Sequence, residues 1–117
     1  MRQLKFRAYN RSAEVWVENL SEQEIGYLEI PSIYTKITQF TGLLDKKGVE
    51  IYEGDVVSHS QAGALTIQYI QNKCKFEAVK VRDDSLSVMY NLTRNMATKR
   101  LEIIGNIYQN PELLKER

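Results

Sequence analysis

The feature that most constrains this chain is the alternation of apolar and polar residues with a period of two. Near the start, Leu4, Phe6 and Ala8 alternate with Lys5 and Arg7. This period is typical of half-buried strands, whereas an amphipathic helix repeats its apolar face about every 3.6 residues. The alternation returns late in the chain at four apolar positions: Leu86, Val88, Tyr90 and Leu92. The sequence therefore predicts an all-β fold of mainly antiparallel, coiled sheets, similar to a small barrel.

Turn residues divide the alternating segments into hairpins. Residues 9–12 separate the first strand from an extended stretch around Trp16, which predicts an N-terminal hairpin. Residues 18–32 follow as a connection. We accordingly divide the chain into an N-terminal hairpin with its connection, residues 1–32, and a main β domain, residues 33–117.

Turn signals continue through the main domain. Asp45–Gly48 is predicted to form a type I turn that ends with Gly48 at a positive φ, where a branched side chain would be strained. A second hairpin is predicted around Asn72 and Lys73. The strand after it changes its apolar phase at Ala78, which predicts a β-bulge there, and residues 83–85 mark the next turn.

The last part of the chain combines a strand with a helical end. We expect Arg94–Lys99 to form a loop and the last strand to run from Leu101 to Tyr108. Gly105 interrupts that strand, which indicates a bulge or a close backbone approach. Residues 110–112, Asn-Pro-Glu, combine a capping side chain with a proline suited to the first helical position, so a short C-terminal helical turn is predicted.

Composition narrows the class of protein. The chain has 117 residues with sixteen basic and fifteen acidic side chains, so it lacks the basic excess of non-specific nucleic-acid binders. Cys74 is the single cysteine, which fits a reducing compartment. The first residues do not form a signal peptide, and no run of about 18 apolar residues predicts a membrane span. We therefore expect a cytosolic protein.

The single histidine is the first candidate for chemistry. His59 lies between Ser58 and Ser60 and four residues after Asp55, so the three residue types of a serine–histidine–aspartate relay lie close together in the sequence. Neighbouring residues on a strand point to opposite faces, so Ser58 and His59 cannot meet directly. We expect His59 to be a histidine in a surface loop, and its replacement to leave function intact.

The sequence also offers few residues suited to metal binding, carboxylate catalysis or phosphate binding. One histidine and one cysteine cannot fill a four-coordinate metal site, and the acidic residues Glu50, Glu53 and Asp55 flank a turn where solvated carboxylates are common. Gly42, Gly48 and Gly54 do not have the spacing of a phosphate-binding loop. We therefore predict no enzyme activity, no cofactor, and no catalytic, cofactor-binding or metal-binding residues.

Nucleic-acid binding is the alternative that the residues leave open. Basic and aromatic side chains are interleaved at Lys5–Tyr9 and Lys73–Phe76, and further basic pairs lie at Lys80 with Arg82 and at Lys99 with Arg100. Small β-barrels bind single strands with such surfaces, by stacking and phosphate contacts. The near-zero net charge weakens this hypothesis.

Three segments of the sequence resemble a known family. Residues 2–9 (RQLKFRAY), residues 39–57 (QFTGLLDKKGVEIYEGDVV) and residues 101–114 (LEIIGNIYQNPELL) are similar in content, order and spacing to the signature segments of the YopX-like proteins of phages and prophages. Tyr9 stands where tryptophan is common in that family, and residues 58–100 carry no recognisable signature.

The resemblance implies a phage or prophage product in the cytoplasm of a bacterial host, an all-β fold of coiled sheets, and self-association. It implies no reaction, ligand or catalytic residue. Two strands have apolar residues on both faces, which must then both be covered, either by a partner subunit or by the N-terminal hairpin of the same chain. These residues are Ile33, Tyr34, Ile37 and Phe40 in one strand, and Leu65, Ile67, Tyr69 and Ile70 in the other.

Two functions therefore stay open. The preferred one is a structural or protein-interaction module that forms a homo-oligomer and contacts host or phage proteins. The alternative is a small β-barrel that binds nucleic acid in phage replication or gene control. No membrane partner is expected.

Overall fold

The computed structural model describes residues 4–10, 12–21, 34–81 and 87–114. These residues form β1 (Phe6–Asn10), β2 (Val15–Leu20), β3 (Tyr34–Leu44), β4 (Glu50–Tyr52), β5 (Asp55–His59), β6 (Gly63–Ile70), β7 (Lys75–Val81), β8 (Ser87–Asn91), helix α1 (Arg94–Arg100) and β9 (Leu101–Asn106). The strands form two antiparallel sheets with the orders β2-β1-β3-β4 and β8-β7-β6-β5-β9, which confirms the all-β prediction.

The first sheet is built on the N-terminal hairpin. β1 pairs with β2 on one side and with β3 on the other, so Tyr9 lies opposite both Trp16 and Lys36. The side-chain Oδ1 of Asn10 accepts hydrogen bonds from the amides of Ser12 and Ala13, at 3.0 and 3.1 Å, and closes the turn. The predicted hairpin is confirmed.

The second hairpin strand is longer than predicted. The connection was expected from residue 18, whereas β2 continues to Leu20, which lies opposite Phe6. A register shift separates this pair from the pairing of Ala8 with Val17, and Asn19 has a φ of 60° within the shifted part. The bulge lets the strand continue. The rest of the connection, residues 22–33, and the turn at 83–85 lie outside the described residues.

The second sheet curls into a half-barrel, and its inner face carries the core. The predicted hairpin of β6 and β7 is confirmed, with a 3-10 turn over Gln71–Lys73 between the strands. Side chains of this sheet, of β4 and of α1 fill the interior, and they bury the apolar surface that stabilises the fold. The buried cluster consists of Ile51, Val57, Ala62, Leu65, Ile67, Ala78, Leu92, Ala97 and Leu101.

The bulge predicted near Ala78 is wrong. β7 pairs with β6 and with β8 without a register shift on either side of this residue. The apolar phase changes because both faces are covered: Ala78 is fully buried on the inner face, and Val79 is 3% exposed on the outer face. On that outer face Val79 lies opposite Thr66, and Thr66 lies opposite Val56.

The end of the chain covers part of this outer face. Gly105 lies opposite Val56, and a Cβ atom added there would meet Asn110 Oδ1 at 2.6 Å and Leu113 Cδ1 at 2.8 Å. The predicted close approach at Gly105 is therefore confirmed. The predicted helical turn is a single 3-10 turn, Pro111–Leu114, which packs against β6. Asn110 precedes it, and its Oδ1 accepts the amide of Asn106 at 3.3 Å.

The loop predicted for Arg94–Lys99 is wrong, since these residues belong to helix α1. Thr93 caps the helix, with its Oγ1 accepting the amide of Met96 at 3.1 Å. Ala97 is fully buried in the core of the curled sheet, and Met96 packs against that core. The polar composition of the segment concealed this pair of apolar contacts. Among the described residues, no helix is long and apolar enough to cross a membrane.

Candidate functional site

A buried ion pair joins the two sheets. Arg7 of β1 reaches across to Asp55 of β5, and Arg7 Nη2 donates a hydrogen bond to Asp55 Oδ1. Arg7 is 7% exposed and Asp55 is 2% exposed. The guanidinium lies between two aromatic faces, 4.1 Å from the ring centroid of Trp16 and 4.6 Å from that of Tyr52. Cation–π attraction of this kind is strongest where water is excluded.

Both oxygens of Asp55 have partners. Oδ2 accepts the backbone amide of Tyr52 at 2.8 Å, while Oδ1 binds Arg7. Burial raises the pKa of Asp55 above its ordinary value, and the charge of Arg7 opposes this shift. A carboxylate with both oxygens occupied is not placed to exchange protons with a ligand. The ion pair therefore acts as an internal link between the sheets.

An aromatic cluster surrounds this link. Tyr108 follows β9, and its ring lies 5.6 Å from that of Trp16, while the ring of Tyr9 lies 5.0 Å from Trp16. Tyr108 also packs against Gly54, which has a φ of 89°; a Cβ atom there would lie 2.9 Å from Tyr108 Cε2. Burial raises the pKa of the Tyr108 hydroxyl.

Hydrogen bonds complete the contact between the chain ends. Gln109 Oε1 accepts the indole N–H of Trp16 at 3.2 Å, and Gln109 Nε2 donates to the carbonyl of Glu14 at 2.8 Å. Asn106 Oδ1 accepts the amides of Tyr108 and Gln109, at 3.1 and 2.9 Å. The residues after β9 are thereby fixed against the N-terminal hairpin. We call the ion pair, the aromatic cluster and these bonds the junction.

Asp45 makes a second link between distant segments. Its Oδ1 accepts the amides of Lys47 and Val49, at 2.8 and 2.9 Å, which closes the turn between β3 and β4. Its Oδ2 accepts the amide of Ile103 in β9 at 3.0 Å. Gly48 has a φ of 81°, as the sequence predicted. The turn thus covers part of the free edge of β9, because Lys46 N also donates to Leu101 O at 2.9 Å.

The junction and the Asp45 link draw on all three segments that resemble the family. Residues 2–9 supply Arg7, residues 39–57 supply Asp45 and Asp55, and residues 101–114 supply the turn after β9. Polar side chains of all three family segments are therefore engaged inside the molecule. Their pairing could not be read from the sequence, because Arg7 and Asp55 lie 48 positions apart.

The structure separates the residues that sequence analysis weighed for catalysis. His59 Nδ1 accepts the amides of Gln61 and Ala62, both at 3.1 Å, so the imidazole closes the turn between β5 and β6. Asp55 is engaged at the junction, at the other end of β5. Glu50 pairs with Lys5, apart from Asp55. Within the described ranges, no three histidine, cysteine or carboxylate side chains come together as metal ligands.

A groove opens beside His59 at one end of the curled sheet. The ring of His59 lies 6.4 Å from that of Tyr90, with 21° between their planes. The groove has a volume of about 400 Å³, and we call it the mouth groove. Its lining consists of His59, Gln61, Tyr90, Asn91, Thr93, Asn95, Met96 and Arg100. The sequence offered His59 as a candidate for chemistry and Arg100 as part of a basic pair, but the missed helix concealed that both line one groove.

A second cleft, of about 280 Å³, lies where β3 passes the hairpin of β6 and β7. It contains an edge-to-face pair, Tyr69 and Phe76, with ring centroids 5.2 Å apart. Cys74 lines the same cleft at the end of the 3-10 turn, with a φ of 54°, and is exposed. The remaining lining residues are Thr41, Leu43, Lys75 and Leu92.

These features define a class: a two-sheet β protein with one sheet curled into a half-barrel and a buried polar junction between the sheets. The family model for the YopX protein matches residues 5–115, and the chain belongs to that family. The resemblance found in the sequence is therefore confirmed. Among curated proteins, no match to this chain is found.

The fold is also found among solved structures. The crystal structure of protein EF1440 from Enterococcus faecalis is similar to this chain, with a TM-score of 0.56 and 22% sequence identity. The match covers 98% of this chain and 100% of that one. At this level of identity the likeness concerns the fold alone.

Proposed function

We propose that this chain is a non-enzymatic structural or protein-interaction module of phage or prophage origin, which associates with further copies of itself in the cytoplasm of a bacterial host. The observation that carries the proposal is a group of exposed apolar side chains around the turn between β3 and β4. Leu44 is 41% exposed, Val49 is 51% exposed and Ile104 is 42% exposed. Together with the charged residues of the turn, they form what we call the turn patch.

Charges of both signs border these apolar side chains. Glu102 pairs with Lys46 at 3.5 Å and with Lys47 at 3.0 Å. The hydrogen bond from Lys47 lowers the pKa of Glu102, and the carboxylate in turn raises the pKa of Lys47. An interface with two-fold symmetry needs a surface that is complementary to itself. Apolar side chains beside both a carboxylate and ammonium groups meet this requirement.

The junction supports a binding role over a catalytic one. Its ionisable pair, Arg7 and Asp55, is buried, and its partners are internal. Enzyme sites place such groups in a cleft where they reach a substrate. Since Arg7, Asp45 and Asp55 of the family segments are engaged inside the molecule, they support the architecture. Contacts with other molecules fall to exposed residues, such as those of the turn patch.

The proposal is tested by light scattering coupled to size exclusion at micromolar concentration. The expected mass is at least about twice the 13.6 kDa of one chain. Val49→Asp should shift the protein to the monomer, because a carboxylate in an apolar contact costs desolvation free energy. Val15→Asp is the matched control, since Val15 has the same side chain and is 52% exposed on β2. A wild-type monomer, or equal effects of both variants, would refute association through the turn patch.

A second candidate function is nucleic-acid binding in phage replication or gene control. Most described basic side chains near the junction and the turn patch are paired with carboxylates, which weakens it there. The mouth groove favours it, because Arg100, an exposed cation of α1, lines it together with two aromatic rings.

A further inference from the structure

The mouth groove combines two ring faces that are partly open. His59 and Tyr90 are both half-buried, so part of each ring is accessible to a molecule in the groove. Their planes differ by 21° and their centroids are 6.4 Å apart, so a flat group stacked on the open face of one ring is nearly parallel to the other. The hydrogen bonds from Gln61 and Ala62 to His59 Nδ1 fix the imidazole against the turn, which pre-organises this surface.

Polar side chains line the rest of the groove. Gln61, Asn91 and Asn95 supply amide groups, each with both donors and an acceptor, and all three are exposed. Asn91 also accepts a hydrogen bond from Lys75. Arg100, also exposed, places a guanidinium at the same groove. A planar heteroaromatic group with an attached anion matches this combination of stacking surface, amides and cation.

The charge distribution around the groove favours a ligand with a negative charge. The residues that line it, within 59–61 and 90–100, include no aspartate or glutamate. Glu77 lies opposite Asn91, and its carboxylate is paired with Lys73 and Lys75, at 3.7 and 3.6 Å.

Helix α1 carries three exposed cations, Arg94, Lys99 and Arg100, and among the described residues none of them has a carboxylate within 4 Å. Of these three cations, Arg100 lines the groove. The whole chain has a net charge of only +1, so the three cations of α1 are a local feature of a nearly neutral protein.

We infer that the mouth groove binds a nucleotide, with its base stacked on Tyr90 and His59 and its phosphate held by Arg100. The inference deepens the second candidate function and does not depend on self-association. A base and a phosphate are supplied by a single-stranded nucleic acid or by a free nucleotide. Stacking without sequence-specific contacts is the usual way in which small β folds hold single strands.

The test is a fluorescence titration of the full chain with labelled ten-residue oligo(dT), oligo(dA) and oligo(A), at several salt concentrations, with AMP and TMP as competitors. Tyr90→Leu should weaken oligonucleotide binding by about five- to 150-fold, the range for loss of one stacked base. Tyr69→Leu is the matched control, because Tyr69 is 43% exposed in the other cleft. Thermal unfolding of each variant separates lost binding from lost folding.

Arg100→Gln gives a second measurement on an exposed residue that leaves the core intact. It should lower the slope of log Kd against log salt by about 0.7, the value for one phosphate contact on a single strand. Lys36→Gln removes an exposed charge from β3 and should leave the slope unchanged. If AMP or TMP displaces the oligonucleotide when mononucleotide and oligonucleotide are present at equal nucleotide concentration, the ligand is a free nucleotide. If neither displaces it, the ligand is a single-stranded nucleic acid.

Two results would overturn the inference, and they are distinguishable. Oligonucleotide and mononucleotide affinities that are both weaker than about 10⁻⁴ M at physiological salt remove the second candidate function altogether. Binding that Tyr90→Leu and Arg100→Gln weaken no more than their controls leaves nucleic-acid binding in place but removes it from the mouth groove. Self-association is measured separately by light scattering and is unaffected by either result.

Discussion

The two ends of β5 use their polar groups in opposite ways. Asp55, at the start of the strand, is 2% exposed and has both oxygens engaged by the protein itself. His59, at the end, has one nitrogen engaged by its own turn and a ring face open to the mouth groove. The segment that resembles the family ends at residue 57, between them. Asp55, within the family segment, therefore supports the architecture, whereas the mouth groove lies in residues 58–100, the part without a signature.

The first way to break this comparison is to remove charge from the junction. Asp55→Asn keeps an oxygen for the amide of Tyr52 but leaves Arg7 buried without its counter-charge. We expect a loss of about 3–5 kcal/mol in the free energy of unfolding, measured in urea. The double variant Arg7→Met with Asp55→Asn should be more stable than Asp55→Asn alone. A loss below about 1 kcal/mol for Asp55→Asn would show that the ion pair does not hold the sheets together.

The second test separates contact from backbone strain at the junction. Gly54 and Gly42 have φ values of 89° and 88°, but only Gly54 faces a close neighbour, Tyr108, when a Cβ atom is added. Both alanine variants should lose about 1–2 kcal/mol through a positive φ. Gly54→Ala should lose more, because the aromatic cluster must shift. Equal losses in thermal or urea unfolding would show that Tyr108 adapts freely.

The third test sharpens the role assigned to the other end of β5. His59→Ala removes the acceptor for two turn amides and should cost about 1 kcal/mol, the usual net value of a hydrogen bond. His59→Asn places an oxygen at the position of Nδ1 and should recover most of the loss. If His59→Asn is no more stable than His59→Ala, the imidazole does not close the turn. Urea unfolding measures both.

The smallest effect is expected at Tyr52. Its hydroxyl is buried and has no hydrogen-bond partner among the described residues, so Tyr52→Phe should change the stability at pH 7 by less than about 0.5 kcal/mol, or increase it. Burial raises the pKa of Tyr52 from 10.0 to about 12, so the fold favours the neutral phenol. This stabilisation is complete below pH 10 and is lost as the pH rises to about 12.

Alkaline unfolding checks this assignment. Tyr52→Phe should unfold less readily than the wild type between pH 10 and about 12, with tyrosinate absorbance recorded in parallel. Tyr69→Phe is the control, because Tyr69 is 43% exposed. An equal alkaline response of wild type and Tyr52→Phe would show that the hydroxyl reaches water in solution.

The sequence was informative wherever a local rule decides the structure. The alternation around Phe6 predicted β1, and the Asp45–Gly48 turn with its positive φ follows from turn chemistry. The prediction at Ala78 failed because alternation presumes one face in water, whereas the C-terminal segment covers the second face of the sheet. Helix α1 was missed because its core contacts come from only two residues, Met96 and Ala97.

The candidate sites were the least predictable part, for a physical reason. The junction pairs Arg7 with Asp55, and Trp16 with Gln109, across 48 and 93 positions of the chain. No local pattern marks such pairs, because arginine, aspartate and glutamine are common at exposed positions and nothing in the neighbouring sequence shows that these ones have distant partners. The mouth groove likewise requires the curl of the second sheet, which brings His59 of β5 against Tyr90 of β8, three strands away.

The contact between Gln109 and the N-terminal hairpin has a consequence for the order in which the protein acquires its structure. The bonds to Glu14 and Trp16 join residues 95 and 93 positions apart. Closing such long loops costs chain entropy before any contact compensates for it, and folding slows as the mean separation of contacting residues rises. We expect the N-terminal hairpin to remain weakly ordered during synthesis until the residues after β9 have been made. A ribosome that stalls before residue 106 would therefore hold a chain whose N-terminal hairpin lacks its contacts with Gln109.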